Sequence, residues 1–203
     1  DSVVSEGGIW RIEDLKNYEV KIRQPLVSFY HDVKIISSPP PSSGGIALIE
    51  ALNILERYDL KKYERDTYIH LVVEAMRRAY RDRADYLGDP DFVKVPVKEL
   101  SSQIHADLLA SSISDTEATP SSSLPQIGSR PKGTDTTHFS IVDRLGNRVA
   151  ATLSINIPFG AAITAEGTGV LLNNEMDDFS AKPFTPNTYG LVGADANAIT
   201  PRK

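Results

Sequence analysis

Apolar residues recur at helical spacing over the first half of the chain and alternate with polar ones in the second. The clearest helical stripe runs from about Asp66 to Leu87, where Ile69, Val72, Val73, Met76, Tyr80, Ala84 and Leu87 fall on one face. That face is predicted to point inward, and Gly88-Asp89-Pro90 ends the helix. A second helix is predicted from about Gly45 to Tyr58, turning Ile46, Ile49, Leu52 and Leu55 inward. Ser42-Ser43 precedes it as an N-cap signal, after prolines 39–41 that no strand ladder would tolerate. A weaker helix covers about Lys98 to Ser111, and residues 25–37 predict two strands around a turn near His31-Asp32. A short helix near Glu13-Asp14-Leu15 follows the Gly7-Gly8 loop.

From Ser111 to Asp135 the pattern lapses into Ser, Thr, Pro, Gly and charged residues, the composition of a flexible linker. Period-two sequence then resumes abruptly. Residues 138–143 and 148–155 flank Arg144-Leu145-Gly146-Asn147 and predict a hairpin. A Gly-rich stretch leads to a short apolar strand, Gly169-Val170-Leu171-Leu172, from whose end the acidic run Asn173-Asn174-Glu175-Met176-Asp177-Asp178 emerges.

Composition narrows the class. The 203 residues are 40% hydrophobic and 24% charged with a net charge of −5, which fits a soluble globular protein and argues against a nucleic-acid surface. No apolar run reaches membrane-spanning length, and the absence of cysteine excludes disulfides, thiolate metal sites and a cysteine nucleophile. Both ends read as cut, so the chain is expected to be an internal piece of something longer.

Thr136 carries the most pointed chemistry. A threonine hydroxyl has no attached base while the chain continues before it. A cut there would create an α-amine of pKa about 8 that can take the hydroxyl proton within the same residue. Glu175 and Asp178, three apart, can aim two carboxylates at one cation, and with no His or Cys nearby a ligand ammonium suits them better than zinc. Ser154 and Asn156 alternate onto one face of the second hairpin strand. His138 shares a strand face with Thr136 and is assigned a structural role; His31, His70 and His105 read as surface or boundary residues. Asp82, Asp85, Asp89 and Asp91 miss the EF-hand spacing and read as a helix end and turn. No cofactor and no metal are expected.

The motifs PPPSSGG (Pro39–Gly45), YLGDPDFVKVP (Tyr86–Pro96), TTHFS (Thr136–Ser140), GVLLNNEMDDFSAKP (Gly169–Pro183) and YGLVGADAN (Tyr189–Asn197) together resemble the gamma-glutamyltranspeptidase (glutathione hydrolase) family of N-terminal nucleophile hydrolases. The resemblance implies a mixed α/β (α+β) fold, part of an αββα sandwich with two antiparallel sheets between helix layers. It implies autoproteolysis between Asp135 and Thr136, residues 1–135 ending a large subunit and 136–203 beginning a small one. Thr136 would be the nucleophile with its α-amine as base, and Ser154 would stand near that amine. Asn156, Glu175 and Asp178 would hold the α-amino and α-carboxylate groups of a γ-glutamyl unit, under a lid formed by residues 178–197.

The same resemblance implies glutathione and other γ-glutamyl amides as donors, and amino acids, peptides or water as acceptors. It also implies a large/small subunit heterodimer and a periplasmic or extracellular location. The family's substrate-carboxylate arginine and oxyanion-hole residues match nothing in this sequence, so the piece alone is expected to be inactive. Two rival readings are another acylase on the same scaffold (a cephalosporin acylase or poly-γ-glutamate depolymerase) and an unprocessed, inactive fragment.

Overall fold

The computed structural model describes residues 2–124 and 136–203. In chain order the elements are α1 (Ser2–Ser5), α2 (Ile12–Asn17), β1 (Leu26–Tyr30), β2 (Val33–Ser37), α3 (Gly44–Leu55), α4 (Arg65–Tyr86), α5 (Val97–Leu100), α6 (Gln103–Ala110), β3 (Thr137–Val142), β4 (Arg148–Leu153), β5 (Thr164–Ala165) and β6 (Val170–Leu171). The strands pair as β1–β2, β3–β4 and β5–β6, each pair antiparallel, which agrees with the mixed fold expected from the sequence. No helix among the described residues is long and apolar enough to cross a membrane.

The chain forms two compact units, Arg23–Ser129 with Ser180–Lys203, and Asp1–Ile22 with Arg130–Phe179. These packing units cross the expected cleavage position, because the last segment, Ser180–Lys203, folds with the unit that holds α3 to α6. Gly88 shows how closely: a Cβ there would lie 2.2 Å from the Ala196 carbonyl oxygen, so only glycine admits this approach. The Ala194 N–H also donates to the Ala84 carbonyl at the end of α4, and Ser180 bridges Ala198 to close the loop between them.

The core of this first unit lies where α3 packs on α4 and α6. Ile54 and Leu55 of α3 meet Leu71, Ala75 and Ala79 of α4 and Ala106 of α6, all buried. The paired alanines one turn apart let the α3 backbone approach α4 closely. Ile46 and Ile49 face inward as expected, whereas Leu52 is only half-buried and Glu50 and Asn53 are buried instead. Asn53 is accommodated by donating to the Ser101 carbonyl and accepting from Gln103. The predicted helix at 98–111 is broken into α5 and α6, since the Ser102 side chain caps α6 by accepting from the His105 N–H.

The predicted inward face of α4 holds at Ala84 and Leu87, which are buried, and at half-buried Val72, and fails at the other four positions. Ile69, Val73, Met76 and Tyr80 are 42–47% exposed, while Leu71, Glu74, Ala75, Arg78, Ala79 and Asp82 are buried. The polar members of the buried stripe are satisfied by partners far along the chain. Glu74 accepts from Arg77 (2.5 Å), Arg78 (2.6 Å), the Thr119 hydroxyl (2.6 Å) and the Thr119 N–H (3.2 Å). Arg78 also donates to the Ser112 hydroxyl and carbonyl, and His70 bonds the Ser114 carbonyl. The segment 112–121, expected to be a flexible linker, is therefore pinned along α4; residues 125–135 lie outside the described residues.

Candidate active site

The second unit carries most of the residues singled out for chemistry. In the β3–β4 hairpin, Thr137 pairs with Leu153 and Val142 with Arg148. Facing residues of an antiparallel pair project to the same side. One face is therefore apolar, with Phe139, Ile141, Val149 and Leu153. The other is polar, with His138, Ser140 and Thr152. Asp143 builds the connecting turn by accepting from the Asn147 side-chain amide and from the N–H groups of Asn147 and Leu145, and these bonds, that of the Asn147 side chain foremost, hold its carboxyl below the usual range.

Thr136 is exposed and immediately precedes β3. Continued by one step, the register sets it opposite Ser154 on the polar face. His138 is occupied on that face by its neighbours: Nδ1 lies 2.8 Å from the Thr152 hydroxyl and Nε2 3.3 Å from that of Ser140. Both ring nitrogens thus have partners within the hairpin, as the assigned structural role requires. Asp135 lies outside the described residues.

The strand alternation expected to carry on from Ser154 to Asn156 ends at Leu153, where β4 stops. The Ser154 hydroxyl accepts from the Asn156 N–H at 3.0 Å, and Asn156 adopts φ 73°, a left-handed conformation that asparagine tolerates. This tight turn buries Asn156 to 3% exposure. Its amide nitrogen donates to the Asn174 carbonyl at 3.2 Å and lies 3.5 Å from an Asp177 carboxylate oxygen. Asn174 reciprocates: its side-chain oxygen accepts from the Ile157 N–H, and its own N–H donates to the Ile155 carbonyl, each at 3.3 Å.

These bonds fasten the end of β4 to the single 3₁₀ turn Glu175–Asp178. In such a turn residues three apart eclipse one another, so Glu175 and Asp178 project from the same side, as the spacing predicted. Asn173 starts the turn by accepting from the Glu175 N–H at 2.9 Å. Gly160 makes room beneath: at φ 52° a Cβ there would meet the Leu172 carbonyl oxygen at 2.2 Å. The structure thus joins Ser154, Asn156 and the acidic turn, and the register adds Thr136. Sequence reasoning missed Asn174 and Asp177 as partners of the Asn156 side chain. The only available signal was their place inside the acidic run.

In the first unit, the other acidic and histidine residues divide differently from expectation. Asp89 and Asp91 form a turn that pairs with Arg23, at 3.6 and 2.8 Å, as a helix-end reading predicts. Asp82 is instead buried, with Oδ2 2.5 Å from Nε2 of His105, which is half-buried, one of the boundary positions expected of it. Ser43 occupies the N-cap position of α3 without capping it, because its hydroxyl accepts from Arg83 at 3.0 Å.

The gamma-glutamyltranspeptidase family model matches residues 1–203. The chain is 48% identical over 200 residues to a glutathione hydrolase proenzyme of Escherichia coli (strain K12), covering 97% of this chain and 34% of that protein. Among solved structures, gamma-glutamyltranspeptidase of Helicobacter pylori matches with a TM-score of 0.56 and 45% identity, over 64% of this chain and 38% of that one. A cephalosporin acylase from Bacillus halodurans matches with a TM-score of 0.75 and 25% identity, over 98% of this chain and 33% of that one. The chain spans about a third of the length of the curated relative it matches. On the family match over its whole length, the chain belongs to the gamma-glutamyltranspeptidase family.

Proposed function

We propose that the protein of which this chain is part transfers or hydrolyses the γ-glutamyl group of glutathione and related γ-glutamyl amides, with Thr136 as nucleophile. The observation that carries the reading is the joining of Ser154, through Asn156, to the turn bearing Glu175 and Asp178, in the unit whose strand β3 Thr136 immediately precedes. A nucleophile and an ammonium-binding carboxylate pair in one compact unit are what a γ-glutamyl donor needs.

The hydroxyl of Thr136 first attacks the Asp135 carbonyl carbon. The peptide C–N bond breaks as an ester forms, and water hydrolyses the ester. The freed α-amine then accepts the hydroxyl proton as Thr136 attacks the γ-carbonyl of the donor, and it returns that proton to the departing amine. The resulting γ-glutamyl ester passes to water or to an acceptor amino acid or peptide. Glu175 and Asp178 hold the donor's α-ammonium by charge-assisted hydrogen bonds, and Asn156 helps to fix the donor's α-amino and α-carboxylate end. The cut makes residues 1–135 and 136–203 parts of a large and a small subunit of one heterodimer. Family membership supports a periplasmic or extracellular location.

A second reading, acylase action on the same scaffold, is favoured by the likeness to the cephalosporin acylase over nearly the whole chain. The ammonium discriminates the two, since a glutaryl amide lacks it. The full-length protein is expected to give two bands on a denaturing gel. The smaller should begin Thr-Thr-His-Phe-Ser, and the native processed protein should hydrolyse a γ-glutamyl anilide in preference to a glutaryl one. Thr136→Ala is expected to remain one inactive chain. A small piece beginning at Thr137, or an uncut and fully active protein, overturns the assignment; preference for the glutaryl amide establishes the acylase.

A further inference from the structure

Glu50 of α3, Asp82 of α4 and His105 of α6 converge where the three helices of the first unit pack together. One ligand atom from each lies within 4.8 Å of the others. Glu50 is 1% exposed, and neither of its carboxylate oxygens has a hydrogen-bond partner. Asp82 is 5% exposed and touches His105, and among the described residues no lysine or arginine pairs with either acid. Two adjacent carboxylates withdrawn from water, one of them without a partner, are costly unless something positive sits between them. A buried polar group left unsatisfied is rare enough in folded proteins to require an occupant.

A proton is one such occupant. Burial, the charge of the neighbouring Asp82 and the hydrogen bond that a protonated Glu50 makes to it push the Glu50 carboxyl up to about 9. Protonation removes one charge but uses only one of the two unpartnered oxygens. A dication answers both acids at once, and the donor set says which kind. Calcium wants six to eight oxygens and magnesium keeps most of its waters, so neither suits a largely buried cluster that offers two oxygens and one imidazole nitrogen. Zinc and its first-row neighbours accept mixed nitrogen and oxygen ligands. Around a tetrahedral zinc with bonds of about 2.0–2.1 Å, ligand atoms stand about 3.3 Å apart, a spacing these side chains reach by small rotations.

We propose that Glu50, Asp82 and His105 form a binding site for a divalent first-row transition metal, zinc foremost, that ties α3, α4 and α6 together. Zinc binding releases the Glu50 proton to solvent, His105 presents Nε2 with its own proton on Nδ1, and the pair of carboxylates neutralises the charge of the metal. Glu50 and Asp82 are buried and His105 is half-buried, so a water can complete the tetrahedron on the histidine side while the three protein ligands fasten the helices that make up the unit's interior.

The test uses the full-length protein, stripped with EDTA, desalted, and titrated with Zn²⁺ by calorimetry and with Co²⁺ by visible absorption. One zinc per chain, tetrahedral Co²⁺ bands and a raised melting temperature are expected. Glu50→Gln and His105→Asn are each expected to weaken zinc binding by about 100-fold or more, at least the upper end of what losing a mere supporting partner costs. Both should abolish the Co²⁺ bands. Glu50→Gln puts a neutral amide of the same shape where the metal-free fold must hold a carboxyl pushed up to about 9, so its metal-free melting temperature should be no lower than that of the parent, which separates lost ligation from lost folding. Absence of zinc binding by the parent protein, or equal binding by Glu50→Gln, overturns the proposal. A parent that binds no zinc while Glu50→Gln melts higher identifies the cluster as a carboxyl pair held by a proton.

Discussion

Replacing Glu74 with glutamine tests whether α4 anchors the chain leading toward the expected cleavage position. Glu74 is 1% exposed, and its two oxygens accept from Arg77, Arg78 and both the N–H and the hydroxyl of Thr119. Burial alone would raise its carboxyl. The Thr119 hydroxyl and the two guanidinium groups outweigh burial and hold it down to about 2, against an ordinary 4.5. At about 1.4 kcal/mol per pKa unit, that difference is about 3 kcal/mol in favour of the charged folded form. It falls within the range for breaking a buried ion pair, about 3–5 kcal/mol. Glutamine keeps the shape but loses the charge, and it turns an N–H₂ toward groups that are themselves donors.

A protein region of this size loses about 2–4 °C of melting temperature per kcal/mol, so Glu74→Gln is expected to melt about 6–12 °C lower at neutral pH. The pH dependence has a fixed sign. A carboxyl whose folded pKa lies below its unfolded one contributes stability above about 4.5, and the contribution fades as pH falls toward 2. The gap between parent and variant is therefore full at pH 6–7 and narrows only below about 4.5. Differential scanning calorimetry across this range measures it. Limited proteolysis with a glutamate-specific protease adds the local readout, since loss of the Thr119 bonds should expose the peptide bond after Glu117. An unchanged melting temperature with unchanged cleavage there would refute the anchoring role.

Asp178→Ala is expected to raise KM for γ-glutamyl amides and to lower kcat/KM by about one to two decades, from loss of a charge-assisted bond of about 1.5–3 kcal/mol, while leaving self-cleavage intact. Unchanged steady-state kinetics would reduce Asp178 to a turn residue. His138→Asn, in correctly processed enzyme, is expected to keep an ascending kcat/KM limb near the α-amine's pKa of about 7.7–8.0, because both its ring nitrogens are engaged within the hairpin. Disappearance of that limb would make the histidine the base.

What could be read from the sequence depended on how far along the chain each determinant lay. The β3–β4 hairpin was legible because its alternation, its Asp143 turn and its register are set by residues a few positions apart. The acidic turn was legible for the same reason: Asn173 starts it and the three-residue spacing aligns its carboxylates. Asn156 was placed beside it only by bonds to Asn174 and Asp177, some twenty residues on, and a period-two pattern carries no information about such a partner. Most of the predicted α4 face failed on the same ground. Helical period offered two stripes, one of Ile69, Val73, Met76 and Tyr80, the other of Leu71, Ala75 and Ala79 interleaved with Glu74, Arg78 and Asp82. Hydrophobicity favours the first. The second is buried because alanines admit α3, and because Thr119, Ser112 and His105 arrive from more than twenty residues away to satisfy its charges. A charged helical stripe that alternates with alanine is thus a site for distant polar partners, and its acids are where buried chemistry such as the Glu50–Asp82–His105 cluster arises.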